Sequence, residues 1–112
     1  MSTKVKLLED AIALLASQPT AQLQYLADLG IPNCVDELAL QYDDIAGASE
    51  LMLREHTLDD PQYRCVRHLN NELKKMSGLE NKHLWTPEAL NRSAEWSRIR
   101  RLASECLGLV RK

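Results

Sequence analysis

Three histidines, His56, His68 and His83, and three cysteines, Cys34, Cys65 and Cys106, carry the donor atoms in this 112-residue chain that could hold a transition metal. A structural zinc site needs four such donors, supplied as closely spaced pairs. Cys65 and His68 form one pair, but helical spacing puts Cys65 on an apolar stripe and His68 at its edge. With no second pair to complete a site, neither a metal nor a cofactor is expected. Paired carboxylates do proton chemistry when they approach closely enough to share a proton. Asp43-Asp44 and Asp59-Asp60 are adjacent in sequence, yet neighbours on a helix project about 100° apart, and Asp60, followed by Pro61, reads as a helix cap. The chain contains no glycine-rich phosphate loop, no Gly-x-Ser-x-Gly elbow and no His-Glu-x-x-His run. The expectation is a protein that is not an enzyme.

Charge is the stronger signal. From Asp28 to Asp60 the chain carries nine carboxylates and one base, Arg54, whereas from Pro61 to Lys112 it carries eleven bases and five acids. A formal net charge of −2 hides this asymmetry. Such a division bears on how a molecule meets partners more than on its fold.

The elements that must position these charges follow from composition and periodicity. The chain is 45% hydrophobic, 4% aromatic and free of phenylalanine. Its core must therefore be built from Leu, Ile, Val, Ala and Met, residues that favour or tolerate helices. Val5, Leu8, Ile12 and Leu15 predict a first helix, which Glu9 and Asp10 distinguish from a signal peptide. Leu23, Leu26 and Leu29 predict a short second helix closed by Gly30. A third is expected from about Cys34, capped by Asn33, to about His56, with Leu38, Tyr42, Ile45, Ser49 and Met52 facing the core. Asp60-Pro61 opens a fourth, with its stripe at Cys65, Val66, Leu69, Leu73 and Met76 and its lysines and arginines in solvent. Thr86-Pro87 opens a fifth, in which Trp96, Ile99, Leu102, Ala103, Cys106 and Val110 share a face that Leu90 does not. A bend is predicted near Arg92 and Ser93. The sum is an all-α, compact, mostly antiparallel bundle of about five helices in one domain spanning residues 1–112.

On the third helix Asp36, Glu37, Asp43, Asp44 and Glu50 lie opposite the core face, with Leu40 and Leu51 among them. A negative surface with apolar centres suits a basic protein partner, because charge orients the encounter and leucine supplies desolvated contact. Asp36, Glu37, Leu40, Asp43, Asp44 and Glu50 are therefore the candidate partner-binding residues, unless Leu40 and Leu51 are buried under a neighbouring helix. Arg98, Arg100, Arg101, Arg111 and Lys112 could track a phosphate backbone. They are spread around a polar arc with Glu95 and Glu105 among them, and the pI of about 5.9 is not that of a basic domain. The three dispersed cysteines read as reduced thiols of a cytoplasmic protein, and no run of residues is apolar enough to span a membrane.

Three segments, YLADLGIPNCVDELALQYDD, MSGLENKHLWTPEAL and EWSRIRRLASECL, covering about half the chain, resemble small helical bacterial immunity proteins. That resemblance implies function by binding, with an acidic helical surface turned toward a basic nuclease toxin, and the matching positions are Asp36, Glu37, Asp43 and Asp44. Two other readings stand beside it. One is a helical adaptor or self-associating scaffold in which the acidic half of one copy meets the basic half of another. The other is a nucleic-acid-associated regulator.

Overall fold

The computed structural model describes residues 3–111. Among the described residues seven α-helices are formed: α1 (Thr3–Ala16), α2 (Pro19–Asp28), α3 (Asp36–Ala46), α4 (Ser49–Arg54), α5 (Asp60–Lys75), α6 (Pro87–Arg92) and α7 (Ala94–Val110), with a 3-10 turn at Leu79–Leu84 between α5 and α6. The described residues contain no strand. The fold is all-α, as composition predicts. Its Cα radius of gyration, 13.7 Å, is close to the roughly 13 Å expected for one packed body of this length.

α1 and α7 make the most extensive contact, and α5 packs on α7, α3 and α4. Leu8, Ile12 and Leu15 of α1, Leu38 and Tyr42 of α3, Val66 and Leu69 of α5 and Trp96, Ile99 and Cys106 of α7 meet in one buried cluster. Tyr42 ties α3 to α5, its hydroxyl donating to the Val66 carbonyl at 2.6 Å. Burial, with Cys106 and Cys65 beside it, pushes this phenol well above its ordinary pKa, so it remains a neutral donor. The buried Gln22 amide donates to the carbonyls of Leu14 and Leu15 at 3.1 and 3.0 Å. It thereby satisfies groups that the end of α1 leaves without helical partners. Arg100 of α7 then donates to Gln22 Oε1 at 3.3 Å and to the Leu90 carbonyl at 2.9 Å, which joins α2, α6 and α7.

Several helix ends match the sequence reading and three do not. Gly30 takes φ +78°, with its N–H on Ala27 and the Ile31 N–H on Leu26 at 2.9 and 3.0 Å, the paired bonds that close a helix through a left-handed residue. Ser93 interrupts the last helical segment as expected and caps α7, its hydroxyl accepting from Trp96 N at 3.1 Å. The expected third helix, however, is two helices. Gly47 is a poor helix former, the Ala48 N–H bonds three residues back to Ile45 at 3.0 Å, and the Ser49 hydroxyl donates to the Ala46 carbonyl at 2.6 Å. A side chain that competes for a backbone carbonyl in this way weakens the helical ladder. Asn33 does not cap α3: it lies in a turn, and α3 begins after Val35, whose side chain makes no capping bond. The cap of α5 is Asp59 and not Asp60. Asp59 Oδ1 accepts from Gln62 N at 2.9 Å while the Gln62 side chain accepts from Asp59 N at 2.8 Å, a reciprocal capping box. Asp60 stands in the first turn and pairs with Arg64 at 2.8 Å.

α4 ends like α2, but on a histidine. His56 takes φ +61°, its N–H bonds to Leu53, and the Thr57 N–H bonds to Met52 at 2.9 Å. Side chains other than glycine adopt this conformation at a cost. His56→Gly is therefore expected to stabilise the protein by about 0.5–1 kcal/mol. A urea midpoint that falls would show that the imidazole contributes more than its backbone strain costs.

Candidate functional site

α3 presents a crest to solvent. Leu38, Tyr42 and Ala46 turn it toward the core, and the opposite line holds Leu40, half exposed at 51%. Asp36, Asp43 and Asp44 around it are exposed and Glu37 is half-buried. The alternative in which Leu40 and Leu51 are buried under α1 or α2 is not the one adopted, since Leu51 is 41% exposed.

Of the nine carboxylates of the acidic stretch, Asp28 and Asp59 accept hydrogen bonds from the Gln24 side chain at 2.8 Å and from Gln62 N at 2.9 Å, and the other seven divide into two groups. Glu50 pairs with Arg54 at 2.9 Å, Glu55 lies 4.0 Å from Lys4, and Asp60 pairs with Arg64. Asp36, Glu37, Asp43 and Asp44 have no ion-pair partner among the described residues. Glu37 alone is engaged otherwise, accepting weakly from Gln41 at 3.4 Å. Of the six expected binding residues, five stand together on α3. Glu50 does not, because the break at Gly47–Ala48 puts it on α4, where Arg54 answers its charge.

A groove flanks the crest on either side. Toward α1, Leu7, Ala11, Leu14 and Ile45 line a depression of about 640 Å³ whose rim carries Asp10 and Asp44. Toward α5 and the 3-10 turn, Ala39, Leu40, Leu73, Leu79 and Trp85 line one of about 550 Å³. This second groove has walls of opposite sign: Asp36 and Asp43 on α3 face Lys74 and Lys82 across it. Sequence reading assigned Lys74 to ordinary solvated surface and did not single out Lys82. The available signal was Leu79, an apolar residue in a Ser-Gly-Leu-Glu turn, which is 91% exposed.

The arginines of α7, and Arg111 that follows its last turn, are largely engaged within the fold. Arg98 pairs with Glu72, Arg100 bonds to Gln22 and Leu90, and Arg111 donates to Glu9 at 2.8 Å. Arg101 is exposed, and Lys112 lies outside the described residues. No group of three histidine, cysteine or acidic side chains that could hold a metal occurs among the described residues. No helix among them is long and apolar enough to cross a membrane. Cys65 and Cys106 lie side by side, and burial together with Cys65 pushes the Cys106 thiol far above its ordinary pKa. Such a thiol is a packing group, not a nucleophile.

The crest can therefore offer fixed negative charge and an apolar anchor, the two components of a protein-docking surface. No protein-family model, no curated protein and no solved structure matches this chain.

Proposed function

We propose that this protein is a binding module without enzymatic activity, which docks a partner protein with a basic surface on the α3 crest. One observation carries the reading: Leu40 stands half exposed among Asp36, Glu37, Asp43 and Asp44, and none of these four is neutralised by a base of the described chain. Glu9, Asp10, Glu50, Glu55, Asp60, Glu72 and Glu88 are paired with the chain's own lysines and arginines, at an expected worth of about 0–1 kcal/mol for each exposed pair. The other acids without an ion pair among the described residues, Asp28, Asp59, Glu80, Glu95 and Glu105, stand apart from one another along the chain instead of gathering on one helix face. At the crest the charges are left for another molecule. The mode of action is that of an immunity protein, in which an acidic helix covers the basic face of a nuclease toxin.

Capture from lysate and secreted fractions tests this, comparing the native protein with Asp36→Lys/Asp43→Lys/Asp44→Lys after circular dichroism shows both folded. Native protein is expected to retain a basic protein that the variant loses, with affinity reduced by at least about a hundredfold. Equal capture by both forms, or capture by neither, would remove α3 as the working surface.

A further inference from the structure

We infer that the groove between α3 and the α5–3-10 corner is occupied by a second copy of this chain, in a two-fold symmetric dimer. An isologous interface requires one patch to complement itself, and the two walls here meet that condition. A two-fold axis running along the groove carries the wall of Asp36 and Asp43 onto the wall of Lys74 and Lys82 of the other copy, and does so twice. An axis running across the groove would oppose like charges and is disfavoured. The four charges are free to pair in this way, since none has an ion-pair partner among the described residues. On the α3 wall Leu40 is 51% exposed, and on the opposite wall Leu79 is 91% exposed, the most exposed of the large hydrophobic side chains described. In the dimer Leu79 of each copy leaves water by entering the partner's groove. Gly78, at φ +104°, directs the chain into the turn that presents it.

A foreign segment with a single sign of charge would meet repulsion at one wall, which is why a second copy fits this groove better than a uniformly basic partner. The dimer does not depend on the proposed basic partner. If that reading also holds, the two binding events compete, because both use Leu40, Asp36 and Asp43.

Sedimentation of the purified protein over a range of concentration, at about 0.05 and about 0.5 M salt, reads the dimer without any partner present. The native chain is expected to dimerise, with a dissociation constant at least about tenfold higher at the higher salt. Asp36→Lys/Asp43→Lys makes both walls basic and Lys74→Asp/Lys82→Asp makes both acidic. Each variant alone is expected to be monomeric, and an equimolar mixture is expected to form a one-to-one heterodimer, which would also show that both are folded. Leu79→Asp, at a position too exposed to unfold the chain, should weaken the native dimer in the same way. A native chain that stays monomeric to about 0.5 mM overturns the proposal and leaves the groove to a foreign segment. So does a dimer that all three variants preserve, or a mixture of folded variants that does not associate. Because the two events compete, capture is run with the protein well below the dissociation constant that sedimentation gives, where the crest is free; failure of the dimer and failure of the basic-partner reading are then separately visible.

Discussion

Trp96→Ala is expected to remove about 3–5 kcal/mol of stability, the range for deleting a large aromatic from a packed core. Trp96 is fully buried, its ring nitrogen donates to the Leu84 carbonyl at 2.6 Å, and its ring meets Trp85 edge-on at 5.3 Å and 86°. Truncation thus opens a cavity, leaves the Leu84 carbonyl without that donor and removes an aromatic contact that holds the 3-10 turn against α7. Domains of this size are stable by about 5–15 kcal/mol in total, so one substitution takes a large share. Trp85→Phe is the comparison. It keeps an apolar ring in the half-buried position and loses the bond from Trp85 to the Met76 carbonyl at 2.7 Å, at about 1 kcal/mol. Urea unfolding followed by circular dichroism reads both values. The chain has two tryptophans, so Trp85→Phe also isolates the emission of Trp96. If Trp96→Ala costs less than about 1.5 kcal/mol, the core is not organised around this ring as described.

The fold was most legible where periodicity and punctuation agreed. Leu90 falls off the face shared by Trp96, Ile99 and Cys106, which is a visible phase change, and Ser93 sits at the break. The division of α3 from α4 leaves no such mark. Gly47 and Ala48 keep right-handed dihedral angles, so Leu38, Tyr42, Ser49 and Met52 hold a common phase across the break and read as one helix. The cap of α5 was misplaced by one residue because Asp59 and Asp60 both suit the role. Gln62, three residues after Asp59, is the local feature that separates them.

The candidate site divides along the same line. An acidic helix face around Leu40 is a local property of α3 and can be drawn on a wheel. Whether Leu40 is exposed depends on which helices cover α3. The opposing wall of Lys74 and Lys82 depends on how α5 and the 3-10 turn return to it from some thirty to forty residues further along the chain. Pairings of that range are fixed by packing, which no local pattern encodes. Glu72 was missed for a different reason. Among lysines on a charged helix it resembles solvated surface, yet it lies three residues after Leu69 and four before Met76, the spacing of the buried stripe.

Glu72 should therefore dominate the response of this fold to acid. Its side chain is 3% exposed, Lys75 Nζ lies 2.7 Å from Oε2, and Arg98 of α7 contacts Oε1. The Lys75 ammonium holds the carboxyl below its ordinary range; burial opposes this, and the charge of Arg98 adds to it. A folded-state pKa below the unfolded value of about 4.5 means that unfolding takes up a proton in that range. The stabilisation is then complete above about pH 4.5 and is lost as the pH falls through the folded value. Urea midpoints measured from about pH 7 to about pH 3 should fall on the acid side for the native chain. They should run flatter for Glu72→Gln, which keeps the size of the side chain and removes its charge, so the two curves converge in acid. Arg98→Gln should shift the native acid limb to higher pH, because one of the charges that keep Glu72 ionised is gone. Curves for native and Glu72→Gln that stay parallel across the whole range would show that the carboxylate contributes shape alone. α7 would then be held to α5 by Ile99, Cys106 and their neighbours without help from the ion pair.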